Sequence, residues 1–278
     1  MPRLESAKRL VRRWFTSIPF FVVLGLILGL AIAIPVIPKP NIATIPISGS
    51  ILEQAYADDI MDMLRHASTD RNIKAVVLQI DCPGGYASVI EPIYLEVLRL
   101  RQQMPLVASI GAQGASGGYY MAVASNFIYA EPSSIIGSVG AGVLLPHPEE
   151  LDEYNITTGP FKTTYGSRRK ALSGLETLRQ QFVSAVISQR GDRLKMSEEE
   201  LSQAAVYSGT EGLRYGLIDD IGTSTAAIQK AAELAHIRNY GVVELYIPRL
   251  FIWFFSMEDL KSQISMMPIY YYLYFESE

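Results

Sequence analysis

The feature that most constrains the fold is a pair of short apolar runs, Ile73-Lys74-Ala75-Val76-Val77-Leu78-Gln79-Ile80 and Leu106-Val107-Ala108-Ser109-Ile110. Each ends in a glycine-rich corner. Runs of that length, rich in β-branched and aliphatic residues, suit strands buried on both faces, as in a parallel sheet. Helical stretches at Ile90 to Gln103 and Tyr119 to Ala124 supply the crossovers that parallel pairing requires. The same reading predicts a first strand at Asn41 to Ile47, a first helix at Ala55 to His66, and a strand at Phe127 to Ala130. It places a long helix at Leu175 to Leu194, a capping box opening at Ser197, a short helix after Gly209 and a last helix at Thr223 to His236. Strands alternating with helices predict an α/β fold built from βαβ units.

Composition narrows the function. The 278 residues, 49% hydrophobic, can bury one good core and carry extra segments. A net charge of -4 gives no reason to expect a nucleic-acid partner. One cysteine, Cys82, excludes an intrachain disulfide, and the three histidines, His66, His147 and His236, are scattered without metal-ligand spacing. No metal or other cofactor is expected.

The N-terminus has its own character. Residues 1–17 carry Arg3, Lys8, Arg9, Arg12 and Arg13 against a single acid, Glu5, and Ile18 to Ile37 then runs without a charge. As a helix that stretch is roughly 30 Å long, about one hydrocarbon core. A cleaved signal peptide and a retained anchor both fit such a run. Its length and its ending, Ile34-Pro35-Val36-Ile37-Pro38-Lys39-Pro40, favour the anchor. The expected organisation is a basic cytoplasmic segment (1–17), a transmembrane anchor (18–38), a domain at 39–245 on the outer side of the cell membrane, and a tail (246–278).

The corner Gly114-Ala115-Ser116-Gly117-Gly118-Tyr119-Tyr120 carries the chemistry. A serine between a buried strand and a helix has its hydroxyl at the top of the sheet, beside first-turn N–H groups without intrahelical acceptors. It suits a nucleophile, and equally a serine N-cap in a tight turn. The preceding strand ends in Asp81-Cys82-Pro83-Gly84-Gly85, at the edge where open α/β sheets build their sites. The N–H groups of Gly85 and Gly117 could then form an oxyanion hole. His66 precedes an Asp/Asn turn and His236 lies near a helix end, which leaves His147 as the histidine candidate for a base. A lysine partner is the alternative.

Asp81-Cys82-Pro83-Gly84-Gly85, Ala115-Ser116-Gly117-Gly118-Tyr119-Tyr120, Gly137-Ser138-Val139-Gly140 and Thr158-Gly159-Pro160-Phe161-Lys162 occur in an order that resembles the short, single-domain signal peptide peptidase A family. The later Gly212 to Gly222 segment is also similar, and coverage runs from about residue 41 to 240. The resemblance implies a Clp-protease/crotonase-like fold and a membrane-anchored serine–lysine peptidase acting on signal-peptide remnants and other apolar peptides. It implies Ser116 as nucleophile, Lys162 as general base, Gly85 and Gly117 as oxyanion donors, and Ser138 as the hydroxyl that orients the lysine. It further implies a ring-like homo-oligomer with sites shared between protomers. Two positions depart from the pattern: Cys82 stands where the family has serine, and Thr163-Thr164 follow Lys162 where an acid is usual. Cys82 is expected to be a small buried residue, and Lys170, the rival base, to belong to a solvated basic stretch with Arg168 and Arg169.

The tail is dense in aromatics, at Leu250 to Phe255 and Ile269 to Phe275. Those blocks suit either a membrane interface or packing on protein. Two other functions remain compatible with the sequence, a crotonase-like acyl-CoA enzyme and an inactive membrane-tethered scaffold of the same fold.

Overall fold

A computed structural model describes residues 18–36, 39–144, 158, 166–246 and 270–273. The chain divides into two compact units, Met1–Lys39 and Pro40–Glu278. In the first, helix α1 covers Ile18–Val36. Its side chains are described from Phe20 to Gly29, where Phe21, Leu26, Ile27 and Leu28 are exposed. Among the described residues no helix is long and apolar enough to cross a membrane.

The second unit is α/β, as expected. Strands β1 (Asn41–Ser48), β2 (Ile73–Cys82), β4 (Leu106–Ala115), β5 (Phe127–Ala130) and β9 (Asp220–Ile221) lie side by side in a parallel array. Strand β10 (Gly241–Glu244) adds in parallel on the far side of β1. The upper half of β4 exchanges β5 for β6 (Ile135–Gly137), which pairs antiparallel with β8 (Val206–Ser208). A separate three-stranded sheet joins β3 (Gly84–Tyr86), β11 (Tyr270–Leu273) and β7 (Gly142–Val143) in the order β3-β11-β7.

Both faces of the parallel sheet are covered, and the period-two alternation of its strands divides the core. Val76, Leu78 and Ile80 of β2 and Leu106, Ala108 and Ile110 of β4 point to one face. There they meet helices α2 (Gln54–Thr69), α3 (Ala87–Leu100), α4 (Gly117–Val123) and α5 (Arg168–Arg190). Ala75 and Val77 of β2 and Val107 of β4 point to the other face. Helix α8 (Ser224–Leu234) closes that side through Ala227, Ala231 and Ala232. Between α5 and α8, the short helices α6 (Glu198–Leu201) and α7 (Gly209–Tyr215) each open on a capping box, at Ser197 and Ser208.

One buried ion pair ties α5 to this frame. The Arg190 guanidinium donates to both carboxylate oxygens of Asp219 at 2.9 Å and to the Gly216 carbonyl at 2.7 Å. Asp219 also accepts from the Ile128 N–H at 2.8 Å, and the two side chains are only 3% and 6% exposed. Removing one partner leaves an uncompensated buried charge, the costly case for such pairs. Arg190→Ala is expected to lower unfolding free energy by about 3–5 kcal/mol. Urea denaturation measures it, and a loss below about 1 kcal/mol, the surface-pair range, would contradict the assignment.

Candidate active site

Three parallel strands end at the same level of the sheet. Cys82 of β2 is the register partner of Gly114 of β4, and Ala115 is that of Gly137 in β6. The next residue on β4 is Ser116, which turns with φ 51° and ψ -119° into the first residue of α4. That left-handed backbone is strained for any residue with a Cβ, by about 1–3 kcal/mol, and such strain concentrates at functional sites. It is held by two backbone bonds: Ser116 N–H donates to the Gly137 carbonyl at 2.8 Å, and the Ser116 carbonyl accepts from Tyr120 N–H at 2.9 Å. Ser138, one residue past Gly137, has φ 53°, is buried, and donates its N–H to the Ala205 carbonyl at 2.8 Å. Both predicted serines thus sit just beyond paired strand ends, in the same unusual backbone conformation.

Ser116 is 1% exposed, and its Oγ has no hydrogen-bond partner among the described residues. A buried hydroxyl left unpaired costs free energy, so this atom is poised for a group that a substrate or a further side chain supplies. The base of the corner is rigid. Tyr119 donates its hydroxyl to the Leu217 carbonyl at 2.7 Å, and burial pushes its phenol pKa up. Tyr120 stacks on Tyr94 of α3 at 4.2 Å and meets Phe182 of α5 edge-on at 4.7 Å.

The two predicted oxyanion glycines follow from close backbone approaches. A Cβ at Gly118 would overlap the Cys82 carbonyl, so the first turn of α4 rests directly on the end of β2. A Cβ at Gly85 would overlap the Ile51 carbonyl. Ile51 donates its N–H to the Gly84 carbonyl at 2.9 Å and accepts from the Tyr86 N–H at 3.0 Å. Because successive residues of a strand present their polar groups to opposite edges, Gly85 turns its N–H and carbonyl away from Ile51. On that free edge lies β11, with Tyr272 opposite Gly85.

Cys82 is fully buried, as expected. Its thiol accepts from the Gly84 N–H at 3.3 Å and donates to the Gly84 carbonyl at 3.5 Å, bracing the turn. Desolvation by burial outweighs the Gly84 hydrogen bond and pushes the thiol pKa up to about 12, so it stays protonated and is no nucleophile at neutral pH.

The base is a different matter. Lys162 and His147 lie outside the described residues. The other basic candidates are placed and are poorly suited. His66 ends α2 and His236 follows α8, so both are exposed at the edge where β2 and β10 begin, opposite to Ser116. Lys170 is exposed in the first turn of α5, without the burial that would make it a base. Among the described residues no group of His, Cys, Asp and Glu is arranged to hold a metal ion.

The tail strand is what the sequence reading missed. Of the two settings considered for the aromatic blocks, Tyr270–Leu273 takes protein packing, paired with Gly84–Tyr86 on one side and Gly142–Val143 on the other. A tyrosine-rich run signals β propensity, and nothing local signals a partner some 185 residues away.

Comparison with known proteins gives this geometry a context. Residues 99–238 match the profile of peptidase family S49. "Protease 4" of Haemophilus influenzae is 30% identical over 225 residues, which cover 74% of this chain and 37% of that protein. "Serine protease SPPA, chloroplastic" of Arabidopsis thaliana is 30% identical over 225 residues, 75% of this chain and 32% of its own. The chain thus spans about a third of the length of either relative. Among solved structures, a lysine-to-alanine variant of the "1510-N membrane-bound stomatin-specific protease", in complex with a substrate peptide, shares the fold. It has a TM-score of 0.53 and 17% identity, and covers 82% of this chain and 98% of its own.

Proposed function

The chain belongs to peptidase family S49, the signal peptide peptidase A family, and from that premise we propose that it is a membrane-anchored serine endopeptidase with a Ser116–Lys162 dyad, degrading signal-peptide remnants and other apolar peptides. The single observation that carries the reading is Ser116 itself: a buried, unpartnered hydroxyl on a strained corner, at the strand-end edge beside Gly85.

In this mechanism Ser116 Oγ attacks the scissile carbonyl while neutral Lys162 Nζ takes its proton. The negative charge that develops on the carbonyl oxygen is stabilised by N–H groups of Gly85 and Gly117. Collapse expels the amine, which receives the proton from the lysine, and water then hydrolyses the acyl-enzyme by the same path. An ordinary lysine titrates near 10.4, so a working base near 7–8 needs a downward shift worth about 4 kcal/mol. Burial gives a shift of that sign, and the Ser138 hydroxyl accepts a hydrogen bond from the amine and aims it.

The alternative acyl-CoA chemistry on a crotonase-like fold uses an oxyanion hole but has no use for a strained serine. The test is to offer the purified full chain a fluorogenic apolar peptide and an enoyl-CoA thioester. Peptide cleavage with the thioester untouched is expected; turnover of the thioester alone would overturn the reading.

The anchor belongs to the same proposal. Its support is the uncharged run from Ile18, the basic flank before it, and apolar side chains exposed around α1, a pattern that membrane helices share. The peptidase unit would then lie outside the cytoplasm. N-terminal sequencing of the membrane fraction is expected to find the chain uncut before Lys39; a protein beginning near Lys39 would refute the anchor.

A further inference from the structure

The edge of Gly85 that an oxyanion hole would use is covered by the chain's own C-terminal strand. β11 runs antiparallel to β3, with Tyr271 opposite Tyr86, Tyr272 opposite Gly85 and Leu273 opposite Gly84. On its other side Tyr270 and Tyr271 pair with Val143 and Gly142 of β7. β11 also approaches α3 and α4, the second of which begins at the Ser116 corner. The two flanking strands come from different parts of the domain and do not pair with each other, so β11 fills a slot one strand wide between them.

A slot bounded by two strand edges is a receptor for an extended peptide, which gains main-chain hydrogen bonds on both sides. One edge of β3 is already used: the Gly84 carbonyl and Tyr86 N–H are bonded to Ile51. The polar groups of Gly85 are therefore directed into the slot, where Tyr272 is their register partner. A peptide whose scissile carbonyl is to reach the Gly85 N–H must take the place that Tyr272 holds.

We propose that Tyr270–Leu273 is an internal competitor for the peptide-binding slot, keeping the peptidase latent until the tail is displaced. The proposal rests on the peptidase reading above. The tail's own sequence, Tyr-Tyr-Tyr-Leu, is extended-chain and apolar in character, of the same class as the peptides the site is proposed to cut. Tethering makes even weak pairing effective, because a linked segment acts at an effective concentration on the order of millimolar.

Hydrolysis of a fluorogenic apolar peptide is compared for the full chain, a chain ending at Tyr246, and full-length Tyr272→Pro. Proline removes the N–H that faces Gly85 and leaves the rest of the tail in place. Both altered chains are expected to show kcat/KM raised about tenfold or more, mainly through KM. A synthetic peptide of residues 266–278, added to the truncated chain, should inhibit competitively. Equal kcat/KM in all three chains, with no inhibition by the peptide, would overturn the tail proposal and leave the peptidase standing. Absence of hydrolysis in every chain, with no labelling of Ser116 by a fluorophosphonate, would overturn both. Should truncation unfold the domain, Tyr272→Pro and the added peptide decide alone.

Discussion

Ser116→Ala is expected to reduce peptide hydrolysis by at least about a thousandfold, to the residue of rate that binding and oxyanion stabilisation sustain without a nucleophile. Serine supplies the only atom in this scheme that bonds to the substrate, so no neighbour compensates. A second consequence separates a strained nucleophile from a mere turn residue. At φ 51° and ψ -119° any Cβ is disfavoured, and glycine is not. Ser116→Gly should therefore be as inactive as Ser116→Ala but more stable than it, by about 1 kcal/mol or more. Urea denaturation of the two variants gives that difference. Equal stabilities would show that the corner stores no strain, and activity near the native level in either would remove Ser116 from the mechanism.

Lys162→Ala carries the next largest effect, about a hundred- to ten-thousandfold in kcat, the range of a positioned general base. His147→Ala and Lys170→Ala should each retain most of the activity; for Lys170 the reason is its exposure at the start of α5. The sign of the pH dependence follows from the role. A lysine base is active when neutral, so the rate should rise with pH through a lowered lysine pKa, and that limb should vanish in Lys162→Ala. An inactive His147→Ala beside an active Lys162→Ala would replace the dyad with a histidine mechanism. The same variant tests whether sites are shared between protomers. If serine and lysine come from neighbours in a closed ring, mixing Ser116→Ala with Lys162→Ala under subunit exchange restores part of the activity. No recovery despite demonstrated exchange confines the dyad to one chain.

What could be read in the sequence was what local pattern determines. Strands β1, β2 and β5 were legible because burial on both faces leaves near-continuous apolar runs. β4 was read only to Ile110, because Gly111 and Gly114 resemble a turn. The strand continues to Ala115 by exchanging β5 for β6, a tertiary event that no local signal marks. Helix α5 begins seven residues before the predicted Leu175, where the Ser167 side chain caps the Lys170 N–H. It ends at Arg190 because Gly191, with φ 52°, terminates it, a stop signal present in the sequence and passed over. β10 is a four-residue edge strand with half its residues exposed, too short for a periodicity to register.

The site divides along the same line. Ser116, Gly85, Gly117 and Ser138 sit at strand ends, where a corner's residue types reveal its geometry, and the structure brings their backbones to one edge of the sheet. The part played by Ile51, whose backbone fixes the direction of Gly85, has no sequence signature. Neither does the seat of β11, which depends on pairing with segments from opposite ends of the domain.

The central claim, that Ser116 is an activated nucleophile, is tested most directly by labelling the folded chain with a fluorophosphonate and locating the adduct by mass spectrometry. The expected result is one phosphonylated residue, Ser116, with no adduct in Ser116→Ala and much slower labelling in Lys162→Ala. An adduct elsewhere that persists in Ser116→Ala, or no adduct in a folded chain freed of its tail, would contradict it.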